Sequence, residues 1–159
     1  MPIFATAGAK LYIGGVFTDP GSDVNVADFS GETWVEIKEI ENLGTIGDTA
    51  EEVAFTAIDQ ARIKRLKGAR AAPPMELVCG IDYGDAGQQA LIAAEKEVHD
   101  YAFKLEFNDA PEGGTPSERY FFAIVASASE TLDAANTVMK LNASLWVNSN
   151  VARVDAAGP

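Results

Sequence analysis

A mainly β, antiparallel domain with one flanking α-helix is the fold class predicted by the sequence, on three observations. Tyr101–Phe107 and Met139–Val147 alternate apolar and polar residues with period two, the mark of strands with one buried face. Tyr120–Ala126 is apolar on both parities, as expected of a strand covered on both sides. One stretch, Asp85–Val98, instead carries apolar residues at helical spacing, namely Ala90, Leu91, Ala94 and Val98. A length of 159 residues with 47% hydrophobic residues suffices for one sizeable core and is short for two. Residues 1–159 are therefore expected to form a single domain.

The elements follow in chain order. Met1–Lys10 is an apolar-and-small run with neither a basic start nor a cleavage-like end, so no export signal is expected, and no stretch is long and apolar enough for a membrane anchor. Leu11–Ile13 and Trp34–Ile37 predict short strands, separated by a long connection, Val16–Glu32, rich in turn residues around Pro20, Gly21 and Asp23. Gly14-Gly15 and Gly113-Gly114 are expected in turns. Glu41–Pro74 is a second long connection, with one alternation near Val53 and Phe55. Connections this long are usually functional. Met75–Ile81 is an apolar strand enclosing the single Cys79, which is expected to be a buried free thiol.

Asp85 can cap the helix, with Gln88 three residues on completing a box, while Gln88, Gln89 and Lys96 are expected on its outer polar face. Asn108–Pro116 contains Asp109, Pro111, Gly113 and Gly114, a turn that would fold the flanking strands into a hairpin. Ser129–Asn136 is expected to be a short helical turn or a connecting loop.

Charge is uneven along the chain. Twenty-four acids against twelve bases give a net charge of −12, and eight acids lie between Asp28 and Glu52 against Lys38 alone. Arg62, Lys64, Arg65, Lys67 and Arg70 form a basic block, with Ile63 and Leu66 interleaved. No aromatic residue accompanies it between Gln60 and Ala72, and the chain is acidic overall, which argues against a nucleic-acid patch. Two readings remain: a solvated face, or a segment that meets the acidic block within the chain or on an identical neighbour.

No motif marks catalysis. His99, the single histidine, has no signposted nucleophile beside it, and one His with one Cys makes no ordinary zinc site. Asp82 and Asp85 lack the ligand spacing of a calcium loop, and no phosphate-cradling glycine motif is present. No enzyme activity, metal or cofactor is expected, and the sequence reads as a binding or building protein. Two other classes stay open: an acidic ligand-binding β-barrel, and a hydrolase using unmarked carboxylates.

The order of features resembles the major tail tube protein of long-tailed (siphovirus-type) phages, the group that includes the N-terminal domain of the phage lambda major tail protein. The likeness runs from about Gly8 to Val151: an opening G-A-K-L-Y-I-G-G strand, a T-W-V-E-I-K-E-I-E-N-L-G segment, an arm ending in Arg65, Lys67 and Gly68, and the strand Met75–Ile81. D-Y-G-D-A-G-Q-Q-A-L, from Asp82 to Leu91, then opens the helix as the family's D-x-G-Q-x-x-L-like element does, and the last long strand ends in V-N-S-N. That helix-opening element is the most specific part.

The resemblance implies a β-sandwich or partly closed antiparallel barrel with one flanking helix, self-assembled as hexameric rings stacked into the tail tube of a virion built in the bacterial cytoplasm. Its partners would be further copies of itself and the tape measure, initiator and terminator proteins, with double-stranded DNA passing unbound through an acidic lumen. Tubes of contractile tails, gene transfer agents and secretion apparatuses share the pattern. The segment at about 43–73 would be an inter-ring arm on which Arg62, Lys64, Arg65 and Lys67 meet acids such as Glu36, Glu39 or Glu41 of another subunit. Glu36, Lys38, Lys104 and Glu106 share the outward parity and are the candidates for the lumen side.

Overall fold

The computed structural model describes residues 3–159. Among them, seven strands form one continuous antiparallel ladder: β1 (Lys10–Val16), β2 (Val35–Ile37), β3 (Ile40–Asn42), β6 (Met75–Gly80), β7 (Tyr101–Glu106), β8 (Glu118–Thr131) and β9 (Lys140–Val147), ordered β2-β1-β7-β8-β9-β6-β3. A short β10 (Ala152–Val154) pairs beside the start of β8. The remaining two, β4 (Thr49–Phe55) and β5 (Lys64–Ala71), pair only with each other.

The outermost strands β2 and β3 are consecutive in the chain, joined by Lys38 and Glu39 alone. The sheet therefore curls until its two edges meet at that corner. Glu39 makes the bend with a φ of 61°. β2 and β3 share no ladder, so the barrel is partly closed.

Alternation on these strands builds the core inside the curl. Leu11, Phe103, Phe121, Leu145 and Met75, from five strands, are each fully buried and meet Leu91 and Ala94 of helix α1 (Ala86–Glu95). The β7–β8 hairpin forms in the expected register, Phe103 opposite Phe121 with rings stacked at 5.6 Å. Its turn is fixed by Asp109, whose carboxylate accepts hydrogen bonds from the Ser117 amide at 2.8 Å and hydroxyl at 2.6 Å.

The doubly apolar β8 is covered on both faces. Phe121 and Ala123 enter the main core, and Phe122 enters a second cluster with Val24, Phe29 and Ala102 on the opposite face. Phe29 comes from the long Val16–Glu32 connection, which carries a 3-10 turn at Val26–Phe29 capped by Asn25 and Asp28. The rings of Phe17 and Phe29 stack at 4.7 Å, and those of Phe17 and Phe122 at 5.1 Å. Aromatic packing thus orders a connection whose turn residues alone suggest a variable loop.

Four local expectations are corrected. Gly14 and Gly15 lie inside β1, where Gly14 leaves room for Glu32, Trp34 and Ala102. Ser129–Thr131 extends β8, because Ala128 and Ser129 pair with Ala143 and Asn142 of β9 and continue the ladder, while the rest of the Ser129–Asn136 stretch is the connecting loop that is the other expectation for it. The helix ends at Glu95, which leaves Val98 85% exposed and outside the apolar stripe. Gln88 is buried rather than outward-facing, with its hydrogen bonds made inside the fold.

Cys79 is fully buried on β6. Burial, with a smaller push from the Asp85 carboxylate, raises its thiol to about 11. The folded chain then keeps a proton that the unfolded chain releases near the ordinary value of 9.0, so rising pH favours unfolding across that window. Wild-type stability in urea titrations is expected to fall between those pH values by on the order of 2 kcal/mol more than that of Cys79→Ala. Equal slopes for the two proteins would refute the shift.

Candidate functional site

Two features stand out from the packed body, a projecting hairpin and a clasp at the corner of the sheet. The hairpin starts from the basic block. Lys64, Arg65 and Lys67 are on β5, Arg62 precedes it in the tip, and all four are exposed. Val53 opposes Leu66 and Phe55 opposes Lys64, so these side chains share one face, while Glu52–Lys67 and Ala54–Arg65 occupy the other. Val53, Phe55 and Leu66 are 48%, 62% and 66% exposed, which leaves the apolar face uncovered within the chain. Ile58 and Ile63 at the tip are exposed as well.

Part of the acidic block does meet the basic one inside the chain. Arg65 lies 3.4 Å from Glu52, and Arg70 at the root lies 3.4 Å from Asp48. Among the described residues, Arg62, Lys64 and Lys67 make no ion pair. Leu43, Ile46 and Ala72 pack against the core, so the projecting part is 48–71, shorter than the expected 43–73.

The four candidate acids fall in three places. Glu36 and Glu106 are half-buried on the sheet face turned away from α1, where Tyr12 pairs with both Glu36 and Lys104. Burial, then the carboxylates of Glu106, Glu36 and Glu118, raise the Tyr12 phenol. Lys104 is held over the Tyr12 ring at 4.8 Å and lies 3.7 Å from Glu118. Burial and a hydrogen bond donated to Glu118 likewise raise the Tyr120 phenol. Glu39 sits at the corner bend, and Glu41 on β3 is paired with Lys140 at 2.8 Å. Lys38 is exposed at the corner rather than on the shared face.

The clasp is built by the helix-opening residues, whose structural purpose the sequence does not reveal. The Asp85 carboxylate accepts from the Lys38 amide at 3.0 Å and the Gln88 amide at 3.1 Å. Gln88 donates to the Lys38 carbonyl at 3.0 Å and the Gly80 carbonyl at 2.9 Å, and accepts from the Asp82 amide at 3.1 Å. The half-box at Asp85 forms, but the Gln88 side chain bridges the β2–β3 corner and the end of β6 instead of returning to the cap. A Cβ on Gly87 would lie 2.2 Å from the Glu36 carbonyl oxygen, so the close approach of the helix start to β2 requires glycine there. The signal that could have located this clasp is the juxtaposition of Asp, Gly and Gln at a helix start.

Neither feature assembles a nucleophile with a base, and among the described residues no group of His, Cys, Asp or Glu is placed to hold a metal ion. No described helix is long and apolar enough to cross a membrane.

No protein-family model matches the chain, and no curated protein matches it in sequence. Solved structures do match in shape. A chain of the anti-feeding prophage baseplate superposes with a TM-score of 0.69 at 12% identity, covering 98% of each chain. The SPP1 tail tube protein matches with a TM-score of 0.63 at 17% identity, over 99% of this chain and 81% of that one. A chain of the PVC sheath-tube complex, from an extracellular contractile injection system, matches with a TM-score of 0.60 at 12% identity, over 97% and 92%. The fold is that of tail tube proteins.

Proposed function

We propose that this chain is a non-enzymatic structural subunit that self-assembles into stacked hexameric rings, forming the tail tube of a virion through which the genome is delivered. The observation that carries the reading is the hairpin, whose apolar face and unpaired cations have no cover within the chain. A two-stranded hairpin alone is marginal in water. Covering the exposed half to two-thirds of Val53, Phe55 and Leu66 is worth about 1–2 kcal/mol each, and an identical neighbour supplies the cover at every step of a stack.

The tube fold of the structural neighbours supports the same reading, and two of them come from an extracellular contractile injection system. A contractile-tail, gene-transfer-agent or secretion tube is therefore the alternative assembly. The face bearing Glu36, Glu106 and Glu118, with Lys104 held over the Tyr12 ring, is suited to a lumen: carboxylates repel phosphates, and the duplex slides without sticking. Tape measure, initiator and terminator proteins would set the length and ends of such a tube. A ligand-binding barrel is less well supported, because the interior of the curl is filled by Phe103, Phe121, Met75 and Leu145.

Negative-stain electron microscopy of the purified chain at high concentration, with sedimentation velocity on the same sample, tests the proposal. Hollow tubes or six-membered rings are expected. A persistent monomer whose hairpin also resists protease would overturn it in favour of a ligand-binding barrel.

A further inference from the structure

We infer that the cleft at the root of the hairpin is the acceptor for the hairpin tip of a second copy, an inference that rests on the assembly proposed above. The cleft holds about 620 Å³ between the turn at Asp19–Asp23, the root residues Asp48 and Arg70, and the end of β9. Trp146 lines it and is 55% exposed, a large apolar ring on the outward parity of β9, where Lys140, Asn142 and Ser144 are its polar neighbours. Asp19 and Asp23 bring two carboxylates to the rim. Arg70, the one cation among the lining residues, is already engaged with Asp48 at 3.4 Å. The cleft thus combines an aromatic wall with spare negative charge.

The tip presents the complement. Arg62 and Lys64 flank the exposed Ile63, a pattern of cations and apolar surface that suits an indole wall with carboxylates around it. Its own cleft is out of reach: eight residues of β5, at about 3.3 Å each, place the tip roughly 26 Å from the root. The occupant is therefore another chain. A tip-to-root contact is heterologous rather than a self-complementary pair, and where the rotation between copies does not close a ring it repeats as an open stack. Of the acids considered from the sequence, Glu41 is already paired with Lys140, Glu36 is half-buried, and Glu39 is exposed at the corner bend and does not line this cleft, whereas Asp19 and Asp23 line it, are exposed and make no ion pair among the described residues.

The test uses the unmodified full chain, mixed as isotope-labelled and unlabelled protein at high concentration and treated with a zero-length carbodiimide cross-linker. Mass spectrometry is expected to show mixed-isotope links from Lys64 or Lys67 to Asp19 or Asp23. In parallel, Asp19→Lys with Asp23→Lys should reduce large assemblies about tenfold or more, and adding Arg62→Glu with Lys64→Glu to the same chain should restore them. Mixed-isotope links from the hairpin to other acids, with the cleft variant assembling as wild type, would overturn this acceptor and leave the stacking reading in place. Absence of any mixed-isotope link from the hairpin, with a monomer throughout, would overturn both.

Discussion

Changing Arg62, Lys64, Arg65 and Lys67 together to Glu is expected to abolish polymerisation while leaving the monomer folded. All four side chains are exposed on a hairpin that shares no ladder with the main sheet, so none supports the core. The one internal ion pair lost is Arg65–Glu52, between exposed groups, and such pairs contribute about 0.2–1 kcal/mol at most. Four reversals change the charge by −8, from −12 to −20 per chain, and convert the complementary half of the contact into a repulsive one. Circular dichroism should be unchanged, and sedimentation velocity should show the monomer at concentrations where wild type forms large species. Normal tubes from this variant would remove the hairpin from the stacking contact. Neutral substitutions at the same positions should produce a graded loss that raised salt deepens only slightly, because they remove attraction without adding repulsion.

Gly87→Ala is expected to cost about 3 kcal/mol or more of folding stability, seen as a fall in Tm of about 6–12 °C. The added Cβ would meet backbone, the Glu36 carbonyl oxygen at 2.2 Å and the Ile37 Cα at 2.6 Å, and backbone of a paired strand cannot swing aside as a flexible side chain can. Relief requires the helix to lift from β2. Lifting it would stretch the hydrogen bonds from Gln88 to the Lys38 and Gly80 carbonyls and from the Lys38 amide to Asp85, all of which cross the corner where the two sheet edges meet. The damage therefore spreads from one methyl group to the closure of the sheet, and assembly should fail because the fold fails. Thermal unfolding of the purified variant decides it: a Tm within a degree or two of wild type would show that the helix has room to move. The contrast with the hairpin variant separates two causes of lost polymerisation, one with a stable monomer and one without.

Periodicity carried the strands with one buried face. Tyr101–Phe107 and Lys140–Val147 alternate because each packs one side on a single core, and that constraint is written residue by residue. The doubly apolar run in β8 likewise announced two covered faces, though not what covers the second. Phe29 arrives there from a connection rich in turn residues, and local sequence holds no record of a partner about ninety positions away. The positions of Val98 and Gln88 escape the local pattern for a related reason. Helical spacing assigns faces, but the helix end and the buried polar contact are set by what lies opposite.

Local pattern and the solvation of individual side chains suffice for the class of fold, the single helix with its Asp85 cap, the buried thiol and a long charged segment with apolar residues it could not hide. Only the tertiary structure decided that β2 and β3 close the curl at Lys38–Glu39, that Asp85, Gly87 and Gln88 clasp that corner, and that Glu36 and Glu106 share a face while Glu41 is paired elsewhere. These are contacts between residues far apart in the chain, and their energies depend on distance and burial that exist only after the sheet has closed.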